Sequence, residues 1–249
     1  MLWGVNMHLK SYSDNSSNAI DYTGITDEKT KVLFFGKNNK LFVHPEAKIT
    51  GTTIRFDCDD GICHIGRNFF SGLIRIGQGC TVSIGNDVTC TGGCYISTAE
   101  NTSITIGNDC MIASGNEIRS DDGHPIFDIA TGERINKSRS ILISDHVWLA
   151  ARSIILSGST IGEGSVIGLG SIVKGTIPNN SIAVGTPAKI IKKNIAWERP
   201  HLTLSKPFLK PDSSCITKTK YWKMTEEIVI TKNNNIFKKI FAFLCKKKK

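Results

Sequence analysis

From Ile143 to Val173 the chain places an aliphatic side chain at every sixth position: Ile143, Leu149, Ile155, Ile161, Ile167 and Val173. The same spacing runs upstream through Ile76, Val82, Val88 and Cys94, misses at Glu100, and resumes at Ile106, Ile112 and Ile118. Glycine follows the aliphatic residue at Gly77, Gly107, Gly162 and Gly168. A small residue recurs four positions after it, at Cys80, Cys110, Ser153, Ser159, Ser165 and Ser171. An amphipathic helix needs spacings of three and four. A period of six, rich in glycine and β-branched residues, instead joins a very short strand to a tight turn. Such units cannot bury their apolar side alone, so the pattern predicts a stacked solenoid over about residues 40–185.

The phase slips once. Ile118 and Ile143 are one residue further apart than four repeats, and the pattern lapses over 119–142. That stretch holds Asp121, Asp122, Gly123, His124 and Pro125, a run of turn formers and polar groups. A loop ejected from a regular solenoid is where chemistry is expected.

Eight cysteines raise the question of a metal or disulfide framework. The spacings Cys58-x4-Cys63 and Cys90-x3-Cys94 lack the paired C-x2-C form of a zinc site, so no metal is expected. Cys58, Cys63, Cys80 and Cys110 fall instead at the small inward position of the repeat, where a thiol packs as a small hydrophobe.

Charge divides the chain in two. The formal net charge is +9, yet residues 1–205 hold 19 basic and 19 acidic side chains, while 206–249 hold 12 lysines and 3 acids. A neutral body argues against a nucleic-acid partner. No run of ~18 apolar residues is present, and the first residues lack the basic and apolar regions of a secretory signal. These observations predict a cytoplasmic protein. Near the C-terminus Ile236, Phe237, Ile240, Phe241 and Leu244 stand at helical spacing among lysines. Peripheral contact with an anionic membrane surface, docking to a partner protein and a solvated end are the readings of this stretch.

Three elements in order, D-x-H-P at Asp122–Pro125, V-W-L at Val147–Leu149 and G-T-P-A-K at Gly185–Lys189, resemble the acetyl-CoA-dependent O-acetyltransferases of bacterial polysaccharides. The capsular polysialic acid O-acetyltransferases are the nearest likeness. The resemblance is strong over roughly 105–200 and rests on repeat and composition over 35–104. It implies a left-handed parallel β-helix, the hexapeptide-repeat solenoid, with an extruded catalytic loop and a C-terminal extension. The implied organisation is an N-terminal cover (helical or irregular) over 1–39, the β-helix over 40–193, and an extension with the basic tail over 194–249.

The same resemblance assigns roles. His124 is the general base that deprotonates a sugar hydroxyl, a task suited to an imidazole titrating near pH 6.5. Asp122 either fixes the His124 tautomer or holds the loop in an Asx-turn. Trp148 stands at the acetyl end of the donor. Acetyl-CoA runs along a coil edge past Ala151 and Leu169, with its nucleotide end near Lys174 and Lys189. By their own chemistry, and not by the resemblance, Glu133, Arg134 and Asn136 either bind acceptor hydroxyls and a carboxylate or pin the loop. The acceptor is a polysaccharide or oligosaccharide, and the assembly is a homotrimer. Two other classes share the solenoid. A γ-class carbonic anhydrase needs three zinc-binding histidines, and His64, His124 and His146 lack the H-x4-H pairing. A non-enzymatic binding module has no reason to eject a D-x-H loop.

Overall fold

The repeat folds as it reads. In the computed structural model, which describes residues 5–25 and 29–223, the chain winds through three sheets of eight, nine and eight strands. Each coil lays one strand on each face in turn. Glu117–Arg119 lies on the first, Ile141–Ile143 on the second and Trp148–Leu149 on the third. Neighbouring coils pair in parallel, stacking inward aliphatic residues such as Ile96, Ile118 and Ile155 into one continuous core.

Coil length is not constant. In the strict repeat Ile143 pairs with Ile161 and Leu149 with Ile167, 18 residues apart. Upstream, Ile74 pairs with Ile96 and Ile96 with Ile118, 22 residues apart. The upstream run of sixes therefore does not mark one residue per face: Ile76 pairs with Thr98, and Cys94 merely opens the strand Cys94–Thr98. The added residues lengthen strands on the first two faces, as in Gly72–Ile76 and Thr81–Ile84 against Ile154–Ile155 and Thr160–Ile161. Side chains alternate with period two, so two extra residues in a strand leave its inward set inward.

The small positions explain the corners. Ser153, Ser159, Ser165 and Ser171 are fully buried, and their hydroxyls turn onto neighbours: Ser165 Oγ donates to the Pro178 carbonyl at 2.7 Å. Cys63, Cys80 and Cys110 are buried too. Burial pushes the Cys63 thiol up, and that of Cys110 to about 12, as inert packing groups require. Cys58 departs from the expectation and sits half-buried at a corner. Gly61 takes the inward slot instead, where a Cβ would lie 2.8 Å from Asn39 Oδ1 and Phe56 Cδ1 and 2.9 Å from Ile76 Cγ2. Gly61→Ala is expected to cost roughly 1–3 kcal/mol by overpacking. A urea midpoint equal to wild type would contradict this packing.

The coils begin earlier than position 40. Ala19–Asp21 pairs in parallel with Lys40–Val43, and Lys31–Phe34 with Thr53–Phe56. Ile20, Val32 and Phe34 join the core, so this segment is strand rather than a helical cover. Antiparallel strands close some ends: Val5–His8 on the first sheet, Tyr12–Ser13 on the second and Ala188–Lys193 on the third. The basic tail and the amphipathic stretch at 236–244 lie outside the described residues. Among the described residues no helix is long and apolar enough to cross a membrane.

Candidate active site and its three corners

The loop leaves the solenoid at the corner between the first and second faces, after Glu117–Arg119, and returns at Ile141–Ile143. Its sequence folds it into a projecting arm. Phe127 and Arg134 form an antiparallel bridge, and Asp128 Oδ1 accepts from the Ala130 and Thr131 amides at 2.9 and 2.8 Å to close the tip. Asn136 ties the two limbs together. Its Nδ2 donates to Asp122 Oδ2 at 3.0 Å and to the His124 carbonyl at 2.9 Å, while its Oδ1 accepts from the Ile126 amide at 2.7 Å. At the base, Ser97 Oγ donates to Asp121 Oδ2 at 2.9 Å. The loop thus presents an exposed His124 on a fixed backbone.

Glu100, one coil back, pins the returning limb. Both of its oxygens accept from the Arg134 guanidinium, and one also accepts from Ser138 Oγ at 2.6 Å and the Ser138 amide at 3.0 Å. The Arg134 and Ser138 hydrogen bonds hold the Glu100 carboxyl down to about 2, from 4.5. A carboxyl depressed in the folded state stabilises fully above its unfolded value and loses that contribution as pH falls through the folded one. The pin should therefore hold at every pH above 4.5 and loosen toward 2. Loop amide shifts followed by NMR check this, and a titration step at Ser138 near 4.5 would refute it.

These bonds revise several expectations. Asp122 is engaged by Asn136, and no hydrogen bond joins it to the His124 ring among the described residues. Through Asn136, Asp122 is linked to the His124 carbonyl rather than to its ring. Arg134 spends its guanidinium on Glu100 and on Asn136, and Asn136 bonds to Asp122, His124 and Ile126 within the loop. Glu133 is exposed beside the arm's tip.

The corner between the third and first faces carries Ala151 and Leu169 one coil apart. The Gly170 amide donates to the Ala151 carbonyl at 3.0 Å, and Leu169 is 75% exposed. Lys189 follows on the same sheet, paired with Val184 in the closing hairpin. These three make a continuous edge along the axis. Lys174 does not belong to it. It lies at the loop's corner, in a cleft of about 470 Å³ shared with Asp122 and Asn136.

The corner between the second and third faces holds what the sequence left unread. His146 occupies a left-handed turn (φ 53°) and is 1% exposed. Its Nδ1 meets Asp109 Oδ2 at 2.6 Å, and its Nε2 meets the Trp197 carbonyl at 3.0 Å. The ring is sandwiched between Trp197 and Tyr221, both with centroids 4.1 Å away. Trp197 Nε1 donates back to the His146 carbonyl at 3.0 Å. Arg199 completes the clamp, donating to Asp109 Oδ1 at 2.6 Å, Thr89 Oγ1 at 2.9 Å and the Cys110 carbonyl at 3.0 Å. The extension is thereby fastened across the third face. Trp148 stands there, half-buried, with the Trp197 ring 5.9 Å away at 46°. Among the histidines weighed for zinc, His146 has both nitrogens engaged, and His64 stacks on Phe42 at 4.7 Å.

No protein-family model matches the chain. The polysialic acid O-acetyltransferase of Neisseria meningitidis is 35% identical over 199 residues, covering 79% of this chain and 91% of that protein. The polysialic acid O-acetyltransferase of Escherichia coli O1:K1 / APEC is 46% identical over 128 residues, 51% of this chain and 41% of that protein. The chain therefore spans less than half the length of that second relative. Among solved structures, the polySia specific acetyltransferase NeuO superposes with a TM-score of 0.71 at 39% identity, covering 75% of this chain and 81% of that one. The solenoid, the D-x-H loop and a meningococcal relative matched over most of its length agree: the chain belongs to the hexapeptide-repeat polysaccharide O-acetyltransferases.

Proposed function

We propose that the protein transfers an acetyl group from acetyl-CoA to a hydroxyl of a bacterial capsular or surface polysaccharide, with His124 as general base. The carrying observation is the arm itself: Asn136 and Glu100 fix a loop whose exposed imidazole is the group able to take a hydroxyl proton. The hydroxyl oxygen attacks the thioester carbon as its proton passes to His124; the C–S bond then breaks, and the imidazolium returns that proton to the sulfur, so CoA leaves as the thiol. Backbone amides or the Trp148 indole N–H meet the developing oxyanion. The donor lies along the edge marked by Ala151, Leu169 and Lys189, where small corners allow close backbone approach and the lysine faces phosphate.

The working unit in this reading is a homotrimer with each site between two subunits. Within one chain no hydrogen bond or ring contact joins His124 to Trp148 among the described residues, and the arm exposes Ile126, Phe127, Ile129 and Ile135. An apolar arm of this kind suits burial on a neighbour that supplies the tryptophan. The protein is placed in the cytoplasm, with its basic tail against the inner membrane or the synthesis machinery. The relatives' names favour sialic acid polymers as the acceptor.

Acetyl transfer measured across a panel of capsular polysaccharides tests the reading. Transfer to at least one polymer, abolished by omitting acetyl-CoA, is expected. Turnover on none of them would remove the proposal.

A further inference from the structure

Beside the loop's entry limb lies a cleft of about 470 Å³. Asp122, Lys137, Arg139, Leu156, Ser157 and Lys174 are among the residues that line it. Arg134 also borders it, but Glu100 already takes its guanidinium. Lys137, Arg139 and Lys174 are exposed, and none has an ion-pair partner among the described residues. Three uncompensated cations thus face one carboxylate, Asp122, which already accepts from Asn136.

The backbone supports this arrangement. The Arg139 amide donates to the Ser120 carbonyl at 3.2 Å and to Ser157 Oγ at 2.9 Å, and the Gly158 amide donates to the Arg139 carbonyl at 3.2 Å. The Arg139 side chain lies across Gly158, where a Cβ would come within 2.9 Å of Nε and 3.0 Å of Cζ. Glycine at this left-handed turn (φ +80°) leaves space for the guanidinium to lie against the corner. Lys174 sits at the same corner one coil further on. Three cations beside the loop's entry limb, against a single carboxylate that Asn136 already engages, form a site for an oxyanion.

We propose that Lys137, Arg139 and Lys174 form a subsite that binds a carboxylate of an acidic acceptor sugar and so select an anionic polysaccharide over a neutral one. This rests on the acetyl-transfer reading, and it moves Lys174 from the donor to the acceptor. The carboxylate shares its chemistry with the phosphates of CoA, and the two sources are separable. Binding one sugar's carboxylate here holds the acceptor beside Asp122, two residues along the loop from His124.

The experiment uses the full chain, with Arg139→Gln, Lys174→Gln and the charge-keeping Lys174→Arg. Probes are polysialic acid, the same polymer with its carboxyls reduced to alcohols, and acetyl-CoA. Each charge-removing substitution should raise KM for the acidic polymer roughly tenfold, with the loss in KM rather than in kcat. KM for acetyl-CoA should stay within about twofold, and Lys174→Arg should keep most of the affinity. The reduced polymer should be a poor acceptor that the substitutions do not worsen. A rise confined to acetyl-CoA would assign the cations to donor phosphate and overturn the proposal, as would equal losses on both polymers. Calorimetric binding of polysialic acid keeps the two readings apart. Wild type that binds the polymer without acetylating it counts against the acetyl-transfer reading, whereas unchanged affinity in both Gln variants counts against the subsite.

Discussion

His124→Ala is expected to lower kcat roughly 10²–10⁴-fold, the usual worth of a general base, while donor affinity and oligomeric state stay as in wild type. The structure allows a clean comparison, because the imidazole is exposed and the loop is held through the His124 carbonyl rather than through its ring. Alanine keeps that carbonyl, so the Asn136 bridge and the Glu100 link survive the substitution. Asn136→Ala is the contrasting variant, since it cuts the ties to both limbs and should lower activity by letting the arm move. Single-turnover rates at saturating acetyl-CoA separate the two. Near wild-type turnover in His124→Ala would take the residue out of the mechanism.

Trp197→Ala should have the largest effect on stability. The indole is buried, stacks on His146 and donates to its carbonyl, so truncation costs about 3–5 kcal/mol. For a chain of this size that lowers Tm by roughly 6–20 °C. Activity should fall with it, because the extension that Trp197 fastens stands against Trp148. Trp197→Phe retains a stacking ring and loses only the Nε1 hydrogen bond, about 1 kcal/mol, so it should recover most of the midpoint. Calorimetric melting of the three proteins decides it. An unchanged Tm in Trp197→Ala would mean that the extension is not fastened there.

The repeat and the ejected loop were legible because each is local. Ile143 through Val173 repeat at a spacing that no helix satisfies, and Asp122-Gly123-His124-Pro125 interrupts it. Coil thickness was not legible. Extending a strand by two residues preserves alternation, so Ile76, Val82, Val88 and Cys94 stay inward in a 22-residue coil although their sixfold count loses its meaning. Cys58 misled for the same reason: a corner of different length handed its slot to Gly61.

The clamp was hidden by distance. His146 and Trp197 are 51 positions apart, and Arg199 and Asp87 are 112. Nothing in W-E-R-P announces a fastening, although a histidine between Asp145 and Val147 at a turn position is a weak signal of a left-handed corner. Pinning and substrate binding also look alike in sequence. Glu133, Arg134 and Asn136 suit either, and only the approach of Glu100 from the previous coil assigns Arg134 to the loop.

The antiparallel strands at the ends bear on a hazard inherent in stacking. Every coil of a parallel solenoid offers its neighbour a row of amides and carbonyls, so an open end is a template for another molecule. Here each sheet ends in a reversed strand on one side: Val5–His8 and Tyr12–Ser13 at the start, Ala188–Lys193 at the finish. A newcomer meeting those ends finds the wrong strand direction for adding a coil, and at the finish it also meets Lys189, Lys192 and Lys193. The opposite ends, Lys48–Ile49, Ile172–Val173 and Thr176–Ile177, are only two residues long and offer little to pair with. The same ladder that holds the coils together is thereby kept from growing into fibres.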